Sequence, residues 1–180
     1  MDVTRIIAIR HGETAWNVDT RIQGQLDVPL NDTGRWQAQR LARALAAREA
    51  IDRIYTSDLL RAWETARAVS ESTGAPMVTD EGLRERGFGA FQGKTFTEIE
   101  ATLPHEAQRW RQRDPFWAPP GGESLTAMRR RVIETLHTLA SRHLGEQIVL
   151  VAHGGVMDLL YRAATGQELQ APRTWQLGNT

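Results

Sequence analysis

Apolar positions along the chain follow two alternating rhythms. Short, nearly unbroken apolar runs bounded by turn residues occur at about 4–10, 51–57, 75–79 and 147–152. Runs of that length predict strands, and their continuity suits a parallel sheet buried on both faces. Between them the spacing becomes helical. After "LNDTG", Ala38, Leu41, Ala42 and Leu45 predict a helix over 33–48. Ser57 is read as the N-cap of a second helix, with Leu59, Ala62, Ala66 and Val69 as its apolar stripe and Gly74 just past its end. A third helix is expected from Ser124, with the stripe Leu125, Met128, Val132, Leu136 and Leu139 and Gly145 closing it. A fourth follows "HGG" through Met157, Leu160 and Tyr161.

Alternating strands and helices imply an α/β fold with a mainly parallel sheet covered on both faces. Residues 80–122 interrupt the rhythm with "EGLRERGFGAFQGKT", a helix-like piece near 95–112 and the turn-rich "RDPFWAPPGGES". This stretch is expected to be an excursion over one end of the sheet, inside a single domain spanning 1–180. No internal repeat is visible.

Composition narrows the class. A chain of 180 residues suits one domain with a sizeable core. Hydrophobic residues at 41% and charged residues at 24% are ordinary for a globular protein. The absence of cysteine excludes disulfides and thiolate metal sites, and permits a reducing cytoplasm. The first residues lack the basic and apolar regions of a signal peptide, and no apolar stretch approaches a membrane span. A cytoplasmic location with no membrane partner is therefore the expectation.

Formal net charge is zero, from 22 basic and 22 acidic residues, which argues against a nucleic-acid binder. Lys94 is the sole lysine, so the remaining basic residues are arginines. Arginine binds planar oxyanions bidentately, but genomic codon usage explains its abundance equally well. Only position can decide.

Position is informative at the strand ends. The first strand breaks off at Arg10-His11-Gly12, and the last apolar run, "IVLVAHGG", at His153-Gly154-Gly155. A third strand ends at Ser57, with Arg61 one turn into the following helix and off its apolar stripe. Ligands in open α/β sheets sit beyond the carboxyl ends of the strands, so two histidines and two arginines collect at one rim. A lone histidine at a strand end is usually an ordinary polar residue. Two such ends, each followed by a glycine that lets backbone approach a ligand, are harder to dismiss. This geometry alone gives an anion site at the sheet rim.

The motifs "RHGET" with Asn17 six residues after His11, "SDLLRAWETA" at 57–66, "LRERGFGAFQG" at 83–93 and "VAHGG" at 151–155 go further. Together, in this order and over nearly the whole chain, they resemble the histidine phosphatase superfamily in its phosphoglycerate-mutase-like branch. The resemblance implies a three-layer α/β/α sandwich and a phosphohistidine intermediate. It matches His11 to the nucleophile, Arg10, Arg61 and His153 to the phosphate pocket and Glu85 to the proton donor. Asn17, Gln23, Gly24 and Gly154 match positions near the phosphate. The implied function is metal-independent hydrolysis of small phosphate esters without a cofactor. The alternative is a phosphoglycerate mutase dependent on 2,3-bisphosphoglycerate, but the segment between the Glu85 motif and the second histidine is shorter than mutases usually carry. The oligomeric state stays open, a homodimer included.

The chemistry agrees with those roles. Arg10 and Arg61 offer paired donors to phosphoryl oxygens, and a cationic His153 adds another. His11 must be neutral to attack phosphorus, and neighbouring arginines favour that form. A bond from its other ring nitrogen to a carbonyl of the "HGE" turn would fix the tautomer. Glu13 is the second candidate for the acid, or else a turn or helix-start residue. Arg84 and Arg86 flank Glu85, and in an extended segment they point to the opposite face.

Other residues carry less. His105, His137 and His143 lack metal-ligand spacing, so no metal is expected. Trp36 and Trp63 are expected to pack locally. Trp110, Phe116 and Trp117 lie where the excursion would wall a pocket. Arg109, Arg111 and Arg113 either hold a second anionic group or form a solvated basic face. Relatives usually continue past "RTWQLGNT" into another strand and a short tail, so this member is expected to be short or trimmed, and if trimmed to leave a sheet edge unpaired.

Overall fold

The computed structural model describes residues 2–179. Four strands, β1 (Arg5–Arg10), β2 (Arg53–Thr56), β3 (Met77–Thr79) and β4 (Gln147–Ala152), form one sheet. Their order is β1-β4-β2-β3 and every pairing is parallel. The second and third strands are shorter than the apolar runs that predicted them. The helices are α1 (Ala15–Val18), α2 (Asp32–Arg48), α3 (Leu60–Thr73), α4 (Phe96–Thr102), α5 (Pro104–Arg111), α6 (Leu125–Arg142) and α7 (Gly154–Thr165).

The central strand shows why the sheet must be covered twice. All six residues of β4 are buried. Ile148, Leu150 and Ala152 join Met128, Val132, Leu139, Val156 and Met157 from α6 and α7. Val149 and Val151 point the other way, to Ala42 and Leu45 of α2 and Ala62, Ala66 and Val69 of α3. Side chains alternate across a strand, so an all-apolar strand supplies two cores at once. Strand β1 lies at a sheet edge, and Ile9 is its one buried residue.

Helix boundaries follow their caps. Asn31 accepts a bond from the Gly34 amide and starts α2 one residue before the expected position. Ser124 caps α6 through the Ala127 amide, as expected, and Gly74 ends α3 in the left-handed conformation at φ 75°. The assignment of Ser57 as a cap is corrected: α3 begins at Leu60 with Leu59 as its N-cap and no side-chain cap bond. Ser57 is buried and turned to His153 instead. Helix α6 stops at Arg142 with His143 as C-cap, and Gly145 lies further along the turn into β4.

The helix-like piece at 95–112 divides into α4 and α5 at Leu103. Pro104 opens α5, where its missing amide costs nothing, and it disfavours helical backbone at the residue before it. Phe91, Ile99, Ala107 and Trp117 form a small core within this segment. An antiparallel bridge from Arg21 to Thr95 ties it to the loop after α1.

Candidate active site

Strands β1, β2 and β4 end side by side, so Arg10, His11, Ser57 and His153 arrive at one rim. The ring centroids of His11 and His153 lie 5.3 Å apart, and both residues are buried. His11 Nδ1 sits 2.7 Å from the Gly12 carbonyl, the expected bond within the "HGE" turn. A carbonyl only accepts, so Nδ1 carries the proton and Nε2 keeps its lone pair. Burial above all, then the Arg61 and Arg10 guanidiniums, push the His11 pKa down to about 3. Its neutral, nucleophilic form therefore prevails at neutral pH.

The same forces act on His153. Burial, then Arg61 and His11, hold it well below the ordinary histidine range. The condition under which His153 would add a cationic donor is therefore disfavoured, and the neutral ring is the favoured form. Its Nε2 lies 2.8 Å from Ser57 Oγ, and its buried Nδ1 has no partner among the described residues.

Arg61 is 1% exposed, and its Nη1 and Nη2 donate to the Leu26 and Gly24 carbonyls at 2.9 and 2.7 Å. Burial lowers its pKa to about 10, which leaves it charged at neutral pH. The buried Nε atoms of Arg61 and Arg10 have no acceptor among the described residues. Buried polar groups are nearly always paired, so orphaned donors converging on one cleft mark a place built for an anion. Arg10 Nη1 donates to the Leu177 carbonyl, and Asn179 reaches the His11 carbonyl, so the C-terminal segment crosses the rim.

A cleft of about 170 Å³ is lined by Arg10, His11, Asn17, Gln23, Gly24 and Arg61, with Glu85 and Gly154 beside them. Every predicted site residue lines it except His153, which is buried with its ring centroid 5.3 Å from that of His11. In α1, the Asn17 carbonyl oxygen accepts from the Thr14 amide in a reciprocal capping box, and Gln23 Oε1 lies 3.0 Å from the Thr14 hydroxyl. Both side-chain NH2 groups remain for the cleft. Helix α7 directs its N-terminus here, which adds partial positive charge.

Glu85 is held by two backbone amides. Arg86 N donates to Oε1 at 2.8 Å and Gly155 N donates to Oε2 at 2.9 Å. Arg84 turns away to pair with Asp58, as expected for a neighbour in an extended segment. Arg86 does not: it is buried beside Glu85, bonding to the Glu123 and Trp117 carbonyls. Glu13, the alternative acid, accepts from Asn31 at the start of α2 and lies outside the cleft.

Three supporting residues escaped the sequence reading. Ser57 was masked by its cap-like position. Thr65 holds the His11 turn by accepting from Gly12 N at 3.0 Å. At Gly155, a Cβ would stand 2.2 Å from Glu85 Oε1, so this glycine makes room for the carboxylate. Among the excursion's arginines, Arg109 pairs with Asp114 and Arg111 with Glu100, while Arg113 turns inward to the Leu169 carbonyl. Trp117 is buried and donates to Glu106, whereas Phe116 is exposed. His143 bridges Tyr55 and Glu146.

Comparison with known proteins follows this geometry. Residues 6–180 match the model of the histidine phosphatase superfamily (branch 1). Phosphoglycerate mutase-like protein 4 of Arabidopsis thaliana is 42% identical over 91% of this chain and 72% of its own length. A glucosyl-3-phosphoglycerate phosphatase of Mycolicibacterium vanbaalenii is 40% identical over 92% of this chain and 76% of its own. The solved structure of a mycobacterial glucosyl-3-phosphoglycerate phosphatase complexed with VO3 superimposes with a TM-score of 0.83 at 37% identity, over 92% of this chain and 82% of that one.

Proposed function

The chain belongs to the histidine phosphatase superfamily, and from that premise we propose that it hydrolyses phosphate monoesters through a phosphohistidine at His11, without a metal or cofactor. The observation that carries this reading is the pair of buried imidazoles, 5.3 Å apart, beside two arginines whose Nε donors lack partners among the described residues.

In the first half-reaction His11 Nε2 attacks phosphorus, the N–P bond forms and the ester P–O bond breaks. Its electron pair leaves with the alcohol oxygen, which takes a proton from Glu85. The proton stays on Nδ1, donated to the Gly12 carbonyl, so the ring keeps its orientation. Charge gathers on the equatorial phosphoryl oxygens, where Arg10, Arg61, the Asn17 and Gln23 amides and the α7 N-terminus offer donors. With the Ser57 hydroxyl donating to Nε2, a neutral His153 carries its proton on Nδ1 and gives one more donor. In the second half-reaction Glu85 takes a proton from water as it attacks phosphorus, and the N–P bond breaks.

Mutase activity is the alternative, because a mutase-like protein stands among the relatives. Hydrolysis is favoured by the compact segment between the Arg61 and Glu85 motifs and the second histidine, His153. The test is phosphate release from simple esters, set against 3-phosphoglycerate with and without 2,3-bisphosphoglycerate. Phosphate release is the expected outcome; isomerisation outpacing release would reverse the assignment.

A further inference from the structure

Glu85 reaches the cleft from an irregular stretch of backbone rather than from a strand end or a helix. A proton donor tolerates little displacement, since a shift of about 1 Å can cost about 100-fold in rate. Such a stretch needs an external brace, and α6 supplies one.

Arg131 of α6 uses every N–H donor of its guanidinium around this stretch. Nη1 donates to the Gly82 and Arg84 carbonyls, at 2.9 Å each. Nη2 donates to the Glu85 carbonyl at 3.4 Å and to Glu123 Oε2 at 2.8 Å, and Nε donates to Glu123 Oε1 at 3.0 Å. At Gly82 a Cβ would stand 1.9 Å from Thr135 Oγ1, so the missing side chain lets the stretch lie directly on α6.

Glu123 holds the other side of the acid. Its amide donates to the Gly87 carbonyl at 2.7 Å, the Gly87 amide donates to its Oε2 at 3.3 Å, and Arg86 Nε donates to its carbonyl at 2.8 Å. Arg131 therefore grips residues 82–85 and Glu123 grips residues 86 and 87, with the two joined by a bidentate ion pair. Neither lines the phosphate cleft. Their side chains are 25% and 18% exposed, where a lone ion pair contributes little to stability. A planar fork that also engages three carbonyls fixes geometry instead.

We propose that Arg131 is a positioning residue: with Glu123 it forms a clamp that sets Glu85 for proton transfer to the leaving alcohol. The inference rests on the hydrolytic reading above and adds what holds its acid in place. Loss of the clamp should weaken leaving-group protonation and leave phosphate binding intact.

The test measures kcat/KM, which reports the phosphorylation half-reaction, for glycerol 3-phosphate and p-nitrophenyl phosphate. Arg131→Met should lower it for glycerol 3-phosphate by about 10-fold or more, but for p-nitrophenyl phosphate by less than about 3-fold. Inhibition by inorganic phosphate should stay within about 2-fold of wild type. Arg131→Lys should recover part of the loss, because an ammonium keeps the charge without the planar fork. Glu123→Gln should act in the same direction, and it carries the test if Arg131→Met does not fold. Equal slowing of the two esters, or a large loss of phosphate inhibition, would overturn the clamp. Glu85→Gln is the reference. Leaving-group dependence there, without it in the clamp variants, defeats the clamp alone. Its absence in Glu85→Gln defeats the acid assignment beneath, and the clamp with it.

Discussion

At the residue scale, each group in the cleft is set by what surrounds it. His11 and His153 are buried as neutral rings, which has a consequence for stability. Their folded pKa values lie below the unfolded value of about 6.5, so the unfolded state binds more protons in acid. For His11 this contribution is fully present above pH 6.5 and falls as pH drops toward 3, by up to about 1.4 kcal/mol per pH unit, and His153 adds a loss of the same sign. Urea titrations at pH 7 and pH 5 should show this loss, and it should be smaller in His11→Gln; an identical pH slope would remove His11 from the account. Glu85→Gln should slow alkyl phosphates by about 100-fold or more, but p-nitrophenyl phosphate far less, because that leaving group needs little protonation. Equal slowing of the two would count against Glu85 as the acid. The chemistry-bearing residues were readable in the sequence because two apolar strands each end in a histidine and a glycine, and because four motifs in order resemble those of the histidine phosphatases. Neutrality at His153 was not, since it depends on burial by residues distant in the chain.

At the element scale, glycines and hydroxyls decide how strand ends and helix starts meet. A Cβ on Gly12 would stand 2.5 Å from the Gly34 carbonyl, so the end of β1 and the start of α2 touch backbone to backbone. Gly155→Ala should act as a partial loss of Glu85, because its methyl would displace the carboxylate from the α7 amide. Alkyl phosphate turnover should fall about 10-fold or more, with p-nitrophenyl phosphate turnover less affected. Unchanged selectivity between the two would show that Glu85 does not need that seat. Apolar periodicity located β4 and the long helices because each buries a full stripe or both faces, and β1 because Ile6, Ile7 and Ile9 pack on the two cores although only Ile9 is fully buried. It merged α4 with α5, where the break depends on one proline, and it gave Ser57 to the helix because cap chemistry and histidine support use the same hydroxyl.

At the scale of the whole molecule, the parallel sheet gathers the ends of three strands at one rim, and the 80–122 segment supplies Glu85 and the side walls. No helix among the described residues is long and apolar enough to cross a membrane. An anion that binds the folded state alone should stabilise it by about 2.7 kcal/mol at one hundred times its dissociation constant. Inorganic phosphate should accordingly raise the Tm of the wild-type protein and leave that of Arg61→Ala nearly unmoved from its own baseline. An equal rise in both would place the anion elsewhere. The strand ends at His11, Ser57 and His153 foretold the rim. The Arg131 clamp could not be foretold, because Arg131, Glu123 and the stretch around Glu85 meet only through folding.

The most direct measurement is chemical trapping of the phosphoenzyme. Rapid acid-free quenching after mixing with a 32P-labelled ester should give a base-stable, acid-labile label that maps to His11, with neither label nor turnover in His11→Ala. Undiminished turnover in His11→Ala, or turnover with no label on that imidazole at any time point, would contradict the account.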